Sequence, residues 1–420
     1  MPFTKSRTPL SWVSGTALLL SGCVAPRIAT EVATAPSVPG AFRTARDSVS
    51  PAVAAGDTTT AADMPYATFF DDARLRALID TAVRNNPEVL ATLQEVEMSR
   101  NELRGIRGRL LPKVGVGAGA GIEKVGLYTS QGAGDASAEI TPGEKVPERL
   151  GDLMLGFNAS WEVDVRGKIR NQKGAALNRY LGSVEGSRFV RTALVAEVAN
   201  TYYELSALDA KLAIIRQTID LQRRELEVVR AQREAAAVTE LAVKQFEALL
   251  LNAQAMEYEV LQQIREAENR LNRLLGRFPQ PVERGALAAS GGAQVLRLGL
   301  PLQLLRNRPD IRQAETEVAA SKFDLRAARA EFFPELNLGA GLGARAFAAK
   351  YLFKFPESMM YGLVSEVAAP LLNRTAQQAE FGRASAYQRK ALIEYRRAIL
   401  AGVSEVSDVA SAIGNLEQEY

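Results

Sequence analysis

Two segments of the chain repeat each other, and this constrains the fold more than any other feature of the sequence. Asn307 lies 222 residues after Asn85, and from there the segments align without a gap to Gly343 and Gly121. Since similarity at a fixed spacing marks a duplicated structural unit, the chain is predicted to contain one unit twice. Identical pairs include Asn85/Asn307, Pro87/Pro309, Glu95/Glu317, Val96/Val318, Ser99/Ser321, Leu103/Leu325, Arg104/Arg326, Arg107/Arg329, Pro112/Pro334, Gly117/Gly339, Ala118/Ala340, Gly119/Gly341 and Gly121/Gly343.

Each repeat changes from a helical to an alternating pattern at a proline, Pro112 or Pro334. Beyond it, apolar residues alternate with glycine or polar residues, which predicts strands with two unlike faces. Each segment has about ten residues, the length of a transmembrane strand, although a half-buried hairpin of a soluble protein has the same period. The predicted strands are about 113–122, 153–164, 335–344 and 360–370.

Long helices are predicted on either side of the strands. Residues 168–234 contain no proline, and on the order of 100 Å of helix follows from that length. A second helix is predicted to start at Thr239 and to end near Leu275, and the first helix of the repeat to cover about Asp72–Leu110. The long helix carries a heptad repeat that predicts coiled-coil packing, formed by Leu194, Val198, Thr201, Leu205, Leu208, Leu212, Ile215, Ile219, Gln222, Leu226 and Val229.

The N-terminus resembles a bacterial lipoprotein signal. Lys5 and Arg7 precede a short apolar stretch, and small residues lead to Cys23, the only cysteine of the chain. In such signals the cysteine is acylated and becomes the new N-terminus, so we expect Cys23 to be a lipid anchor and residues 1–22 to be removed. Val24 is not aspartate, which favours the outer membrane. Residues 24–65 are rich in Ala, Thr, Val and Pro and predict an extended tether.

Composition argues against several functions. The net charge is +3, and about +1 remains after residues 1–22, so a nucleic-acid partner has no support. There is no histidine, which removes the commonest general base and zinc ligand. An enzyme would have to work with carboxylates, lysine or serine alone, and we expect no cofactor and no metal site.

Three further motifs are weak. The stretch GVGAGAG at 115–121 lacks the spacing of a phosphate-binding loop and alternates as a strand. Glu162 and Asp164 share a strand face and could form an acid/base pair, but a solvated strand end is the better interpretation. The second hairpin loop has an aromatic cluster at a membrane interface or packed on neighbouring loops: Phe347, Tyr351, Phe353 and Phe355.

Four strands are too few to close a membrane barrel, which has about eight or more. An open sheet edge in lipid would leave backbone groups without partners. If the strands span a membrane, several chains must therefore share one barrel, and three chains would supply twelve strands.

Several stretches resemble the TolC-like outer-membrane efflux proteins, specifically the lipoprotein branch that serves resistance-nodulation-division (RND) pumps. They are WEVDVRGKIR at 161–170, LNRLLGRFP at 271–279 and LPLQLLRNRPDIRQAE at 300–315. The resemblance extends from Phe69 to the end of the chain. It implies a mainly helical homotrimer in which a shared twelve-strand β-barrel stands on a periplasmic α-barrel.

The resemblance also implies the function and the partners. The protein would be the passive outer-membrane channel of a tripartite efflux pump, working with a periplasmic adaptor protein and an inner-membrane RND transporter. It would cross the outer membrane, extend into the periplasm and hold lipid through Cys23. The adaptor would contact the turn between the long helices, formed by Ala235, Ala236, Ala237, Val238, Thr239 and Glu240.

The second repeat departs from this pattern. By analogy with the first repeat it would continue to about residue 484, so we expect its C-terminal helices to be missing, with any gate acid beyond Tyr420. In the first repeat, Ala242 takes the place of the family's tip aspartate. The predicted divisions are a signal peptide 1–22, a lipidated tether 23–68, a first repeat 69–290 and a truncated second repeat 291–420.

Two alternatives remain open from the sequence. One is a conduit of the same family for protein secretion or metal export. The other is a lipid-anchored coiled-coil scaffold without a pore, in which the hairpins are soluble.

Overall fold

A computed structural model gives the fold and describes residues 25–28, 38–42, 60, 64–285, 299–369 and 374–419. Cys23 and the predicted signal peptide lie outside the described residues. The chain divides into two compact units, each built from both repeats. Within the described residues, the sheet unit comprises 25–28, 100–179, 317–369 and 374–392, and the helical unit comprises 38–42, 60, 64–99, 180–285, 299–316 and 393–419.

The first repeat begins with two helices in place of the single helix predicted over about Asp72–Leu110. After α1 (Tyr66–Phe69), α2 is Ala73–Asn85 and α3 is Pro87–Gly108. The break follows from Pro87, which has no backbone N–H and disfavours helical geometry at the residue before it. Asn86 is accordingly extended, with ψ 124°, and its side-chain oxygen accepts hydrogen bonds from the backbone N–H groups of Glu88 and Val89. Asn86 therefore caps α3.

The long helix has the predicted length, since α5 is Lys168–Glu234, with 67 residues. Its heptad positions face the helical unit's core, where Val198 and Leu205 are fully buried. The predicted cap is present too: the Thr239 hydroxyl accepts from the backbone N–H of Ala242 at the start of α6 (Glu240–Leu274). The heptad interpretation is thus confirmed, because packing of an apolar seam stabilises helices of this length.

The second repeat follows the same order. It contains α7 (Pro301–Asn307), α8 (Pro309–Ala330) and α10 (Thr375–Glu419). In the RPD stretch, Arg308 forms ion pairs with Asp310 at 2.7 Å and with Glu405 on α10 at 2.8 Å. Half-buried and held by two carboxylates, Arg308 links α8 to α10 within the helical unit.

The sheet unit holds one four-stranded antiparallel sheet. Its strands are β1 (Lys113–Glu123), β4 (Leu150–Val163), β5 (Glu335–Ala346) and β6 (Met359–Ala368), hydrogen-bonded in the order β1-β4-β5-β6. These are the four strands predicted from the alternating segments, although β6 ends before Pro370, which lies outside the described residues. The first hairpin loop contains α4 (Ser130–Ser137) and the small strands β2 (Glu139–Thr141) and β3 (Glu144–Lys145); the second contains α9 (Ala349–Leu352).

Both hairpin loops lie at one end of the sheet, and the helices join the strands at the other. A smaller core of the sheet unit joins α8 to α10, where Leu325 and Ala328 pack against Ala384 and Phe381. Among the described residues, no helix is both long and apolar enough to cross a bilayer.

Candidate functional site

The sheet has two faces of opposite character, as the alternation predicted. Register pairs Val116 with Phe157, Phe157 with Leu342 and Leu342 with Tyr361, so these apolar residues form one row across all four strands. The row is open to the surroundings: Phe157 is 62% exposed and Tyr361 84%. A continuous exposed apolar face of this kind marks a surface that contacts lipid or another protein.

Glycine is the commonest residue on the opposite face. Gly117, Gly156 and Gly343 follow one another across the first three strands, and Met360 continues the row on β6. We name this surface the glycine face. Its polar residues lie nearer the strand ends, as in the ion pair that joins Asp152 to Arg345 with a 2.7 Å contact. A face that combines small and charged groups suits water rather than lipid.

Two glycines bring β4 and β5 unusually close on this face. A Cβ built on Gly343 would lie 2.6 Å from the Cα of Gly156, and one on Gly156 would lie 2.8 Å from the Cα of Gly343. Real side chains never approach a backbone so closely, so only glycine fits at both positions. The backbones of β4 and β5 therefore approach each other on the glycine face more closely than any side chain would allow.

Both outer strands keep one free edge. Lys113–Glu123 pairs only with β4, and Met359–Ala368 pairs only with β5, within the part of the chain that the structure describes. All ten residues of β6 are exposed. Two long free edges are ready to pair with strands of another chain.

Charged residues close the helical end of the glycine face. Lys168, at the start of α5, forms ion pairs with Glu162 of β4 and Glu335 of β5. Partial burial would by itself lower the pKa of Lys168, but the hydrogen bonds that its ammonium donates to the two carboxylates outweigh burial and raise that pKa. The ammonium therefore stays charged and ties the two central strands to the helix. The Trp161 ring adds a 3.1 Å hydrogen bond from Nε1 to the carbonyl of Leu110.

The candidate acid/base pair is structural. Glu162 is bound by Lys168, and Asp164 accepts hydrogen bonds from the backbone N–H groups of Ile169 and Arg170, which caps the start of α5. Since the carboxylates serve different partners, the structure does not bring them together as a catalytic dyad. Of the described residues, no group of three or more His, Cys, Asp or Glu side chains could hold a metal ion.

The aromatic cluster of the second hairpin loop divides into two pairs. The rings of Phe347 and Tyr351 pack at a tilt of 54° with centroids 5.1 Å apart, and the Tyr351 hydroxyl donates to Glu144 of the first hairpin loop at 2.8 Å. Phe353 and Phe355 are exposed. Part of the cluster thus packs on the neighbouring loop, and a membrane interface at Phe353 and Phe355 stays a prediction.

The turn between α5 and α6 is tight and almost wholly exposed from Ala235 to Glu240. Ala236 has a left-handed φ of 57°, and the backbone N–H groups of Ala236 and Ala237 bond back to Arg233 and Gln232. Glu240 forms a 2.9 Å ion pair with Arg233 across the turn. The turn is a well-defined, exposed tip, and its role as an adaptor contact stays a prediction.

Sequence reasoning missed a polar cavity in the sheet unit. It lies between α5, α8 and α10 and has a volume of about 520 Å³. Its charged lining includes Arg179, Asp324, Glu331 and Glu380. The detectable signal was the spacing of Asp324, on α8, and Glu331, directly after it, which lie seven residues apart and so at similar angles around the helix axis.

Comparison with known proteins now decides the family. The family model described as outer membrane efflux protein matches residues 78–277 and 300–419. The protein belongs to this family. The resemblance predicted from the sequence is thereby confirmed, and with it the interpretation as a transport conduit and not an enzyme.

Individual relatives agree with this assignment. A toluene efflux pump outer membrane protein, TtgF of Pseudomonas putida, is 29% identical over 86% of this chain and 72% of its own length. A probable outer membrane lipoprotein, SilC of Salmonella typhimurium, is 26% identical over 96% of this chain and 83% of its own. The crystal structure of a membrane protein from Pseudomonas aeruginosa superposes with a TM-score of 0.80 at 27% identity, covering 94% of this chain and 84% of that one.

Proposed function

We propose that the protein is the passive outer-membrane conduit of a tripartite efflux pump, in which three copies form one channel. One observation carries the proposal: in this member of the outer membrane efflux family, the four-stranded sheet has an apolar face, a glycine face and two free edges. In a bilayer every backbone N–H and C=O group needs a partner. The edge of β1 would therefore pair with the edge of β6 from a neighbouring copy.

The close backbone approach on the glycine face supports a proposal for which face of the sheet points into the channel. A closed sheet is concave inside, and side chains on the concave side crowd one another. The near contact of Gly156 with Gly343 occurs on the glycine face. This face would therefore line the channel, and the row containing Phe157 and Tyr361 would contact lipid.

The helices would supply the periplasmic part of the conduit. The 67 residues of α5 correspond to a rod on the order of 100 Å long. Its far end is the exposed tip from Ala235 to Glu240, which we propose as the contact for a periplasmic adaptor and, through it, an inner-membrane RND transporter. The small side chains of Ala235–Ala237 permit close approach of partner helices.

Lipid attachment at Cys23 is supported by the short described segment 25–28. Ile28 packs against the small core formed by Leu325, Ala328 and Ala384. Ile28 is five positions after Cys23, so the chain between them can span at most about 17 Å. Because α8 enters β5 soon after Ala330, an acyl chain on Cys23 would reach the edge of the apolar face. Acylation would thus fix the chain at the membrane boundary.

The proposed substrates are small molecules that leave the periplasm. A family relative is named for toluene efflux, which fits export of such compounds. The chain performs no chemistry on them, so transport through it would follow the concentration gradient that the inner-membrane partner maintains.

The first experiment uses the Cys23→Ala variant with a replacement signal peptide. We expect its membrane fraction to resist carbonate and urea extraction and to migrate as a trimer on unheated gels, because the sheet itself spans the membrane. A variant that washes off as a monomer would contradict the conduit and favour the lipid-anchored scaffold.

A further inference from the structure

The cavity between α5, α8 and α10 has the size and the chemistry of a ligand site. Its volume of about 520 Å³ falls within the range of pockets that bind drug-sized molecules. The surfaces of Ala327, Ala328 and Ala384 contribute apolar wall, and Tyr387 adds an aromatic ring. The cavity therefore offers both an apolar surface and charge to a molecule that enters it.

The charges of the cavity do not balance. Arg179 pairs with both Asp324 and Glu317, and Arg383 pairs with Glu380. The cavity lining therefore has three carboxylates and two guanidinium groups, and Glu331 is the carboxylate without an ion-pair partner among the described residues. A partly buried carboxylate without a counter-ion is unfavourable, so a cation that enters the cavity would be bound.

Glu331 lies near the helical end of the glycine face. It is close enough to feel the charges of Lys168 and Glu335. Lys168 in turn binds Glu162 and Glu335, which share a face with Asn337 and the glycines of β5. In the proposed conduit, the cavity would therefore lie close to the helical end of the surface that lines the channel.

The two repeats differ at this position. The residue 222 positions before Glu331 is Arg109, which bonds to Gln172 at 3.0 Å and lies 3.8 Å from Glu162. The reversal of charge places an unpaired carboxylate in the second repeat only. Each chain would thus carry one such site.

We propose that this cavity is a binding site for organic cations with an apolar body, held by Glu331 against the alanine wall and the Tyr387 ring. The inference rests on the proposed conduit and names a substrate class for it: amphiphilic ammonium compounds. Aromatic rings and carboxylates both attract a desolvated ammonium group, which is why the combination selects such a ligand over a small inorganic cation.

The test uses the full chain in planar bilayers, with tetrabutylammonium as the probe. We expect the probe to reduce the potassium conductance, and the half-blocking concentration to rise about tenfold in Glu331→Gln and further in Glu331→Arg. Glu102→Gln is the matched control, because Glu102 is exposed and corresponds in the first repeat to Asp324. Equal block of wild type and Glu331→Gln would overturn the site.

Failure of the proposed conduit can be distinguished from failure of the proposed binding site. If no potassium conductance is observed, the proposed function fails, and equilibrium dialysis of the purified protein against tetrabutylammonium tests the site alone. Binding that is weaker in Glu331→Gln than in Glu102→Gln supports the site. Equal binding by the two variants refutes it.

Discussion

At the scale of single residues, the sheet depends on positions where a side chain is absent. Gly343 and Gly156 allow the backbones of β4 and β5 to approach each other closely. A Cβ built on Gly339, by contrast, has no atom within 4 Å. The same residue type therefore has different importance on one strand. Glycine is irreplaceable only where another backbone comes close, because other small residues could also occupy the alternating positions of a strand.

We expect Gly343→Ala to destabilise the sheet by about 1–3 kcal/mol, because the new methyl group would overlap the backbone of β4. Gly339→Ala, on the same strand and face, should change stability little. Trp161 is the only tryptophan after Trp12, so its fluorescence during urea unfolding reports on the sheet of the processed protein. Equal unfolding midpoints for the two variants would disprove the close packing.

Glu331 predicts a dependence on pH. Burial raises the pKa of Glu331, Glu380 and Glu335 raise it further, and Lys168 only partly opposes them. An acid whose pKa is higher in the folded state than in the unfolded state favours folding in its protonated form. Its stabilising effect is full below the unfolded pKa and is lost as the pH rises through the folded one.

Wild type should therefore gain stability relative to Glu331→Gln when the pH falls from 7 to 5. Urea midpoints from Trp161 fluorescence at both values measure the effect. Glu102→Gln corrects for the general loss of one negative charge. A constant difference between wild type and Glu331→Gln would show that the Glu331 carboxyl is solvated like any surface acid.

At the scale of elements, the sequence predicts regular segments well and their interruptions less well. The heptad of α5 and the four strands follow from periodicity, because one face of each element is uniform over many residues. The break at Asn86 was missed since α2 and α3 continue one apolar pattern across Pro87. The cavity was missed because it is formed by three helices that are distant in sequence, and periodicity describes one element at a time.

The tip offers a test of local geometry. Ala236 has a left-handed backbone conformation, which costs a residue with a Cβ more than glycine. We expect Ala236→Gly to stabilise the helical hairpin by about 1 kcal/mol. Thermal unfolding followed by circular dichroism at 222 nm, the helix band, measures the change.

The control for the tip is Ala235→Gly. Ala235 ends the helical hydrogen bonding with a bond to Ala231 and has no left-handed φ, so glycine there should destabilise slightly. If Ala236→Gly and Ala235→Gly shift the melting temperature in the same direction, the backbone at Ala236 is not strained.

At the scale of the whole molecule, the two faces of the sheet predict which surface contacts lipid. Leu363 and Val364 are neighbours on β6, and both are exposed. Leu363 pairs with Ala340 in the apolar row, and Val364 pairs with Gly339 on the glycine face. They are of similar size and hydrophobicity, so they differ mainly in the face on which they lie.

We expect Leu363→Lys to oppose membrane insertion by about 2–4 kcal/mol, since it places a charge in lipid, and Val364→Lys to be tolerated. The fraction of each variant that resists carbonate extraction measures insertion. Comparable loss for both variants would mean that the two faces share one environment, as the scaffold without a pore requires.

The close contact of Gly156 with Gly343 connects the two repeats within the sheet. β1 and β4 come from the first repeat, and β5 and β6 come from the second, so this close backbone approach lies at the seam between the repeats. An ancestor with a single repeat would have had to form this seam between separate molecules, with the loss of translational and rotational freedom that association entails. Duplication within one chain makes the seam internal, so the proposed trimer would need three joints between molecules to close its ring, where single repeats would need six.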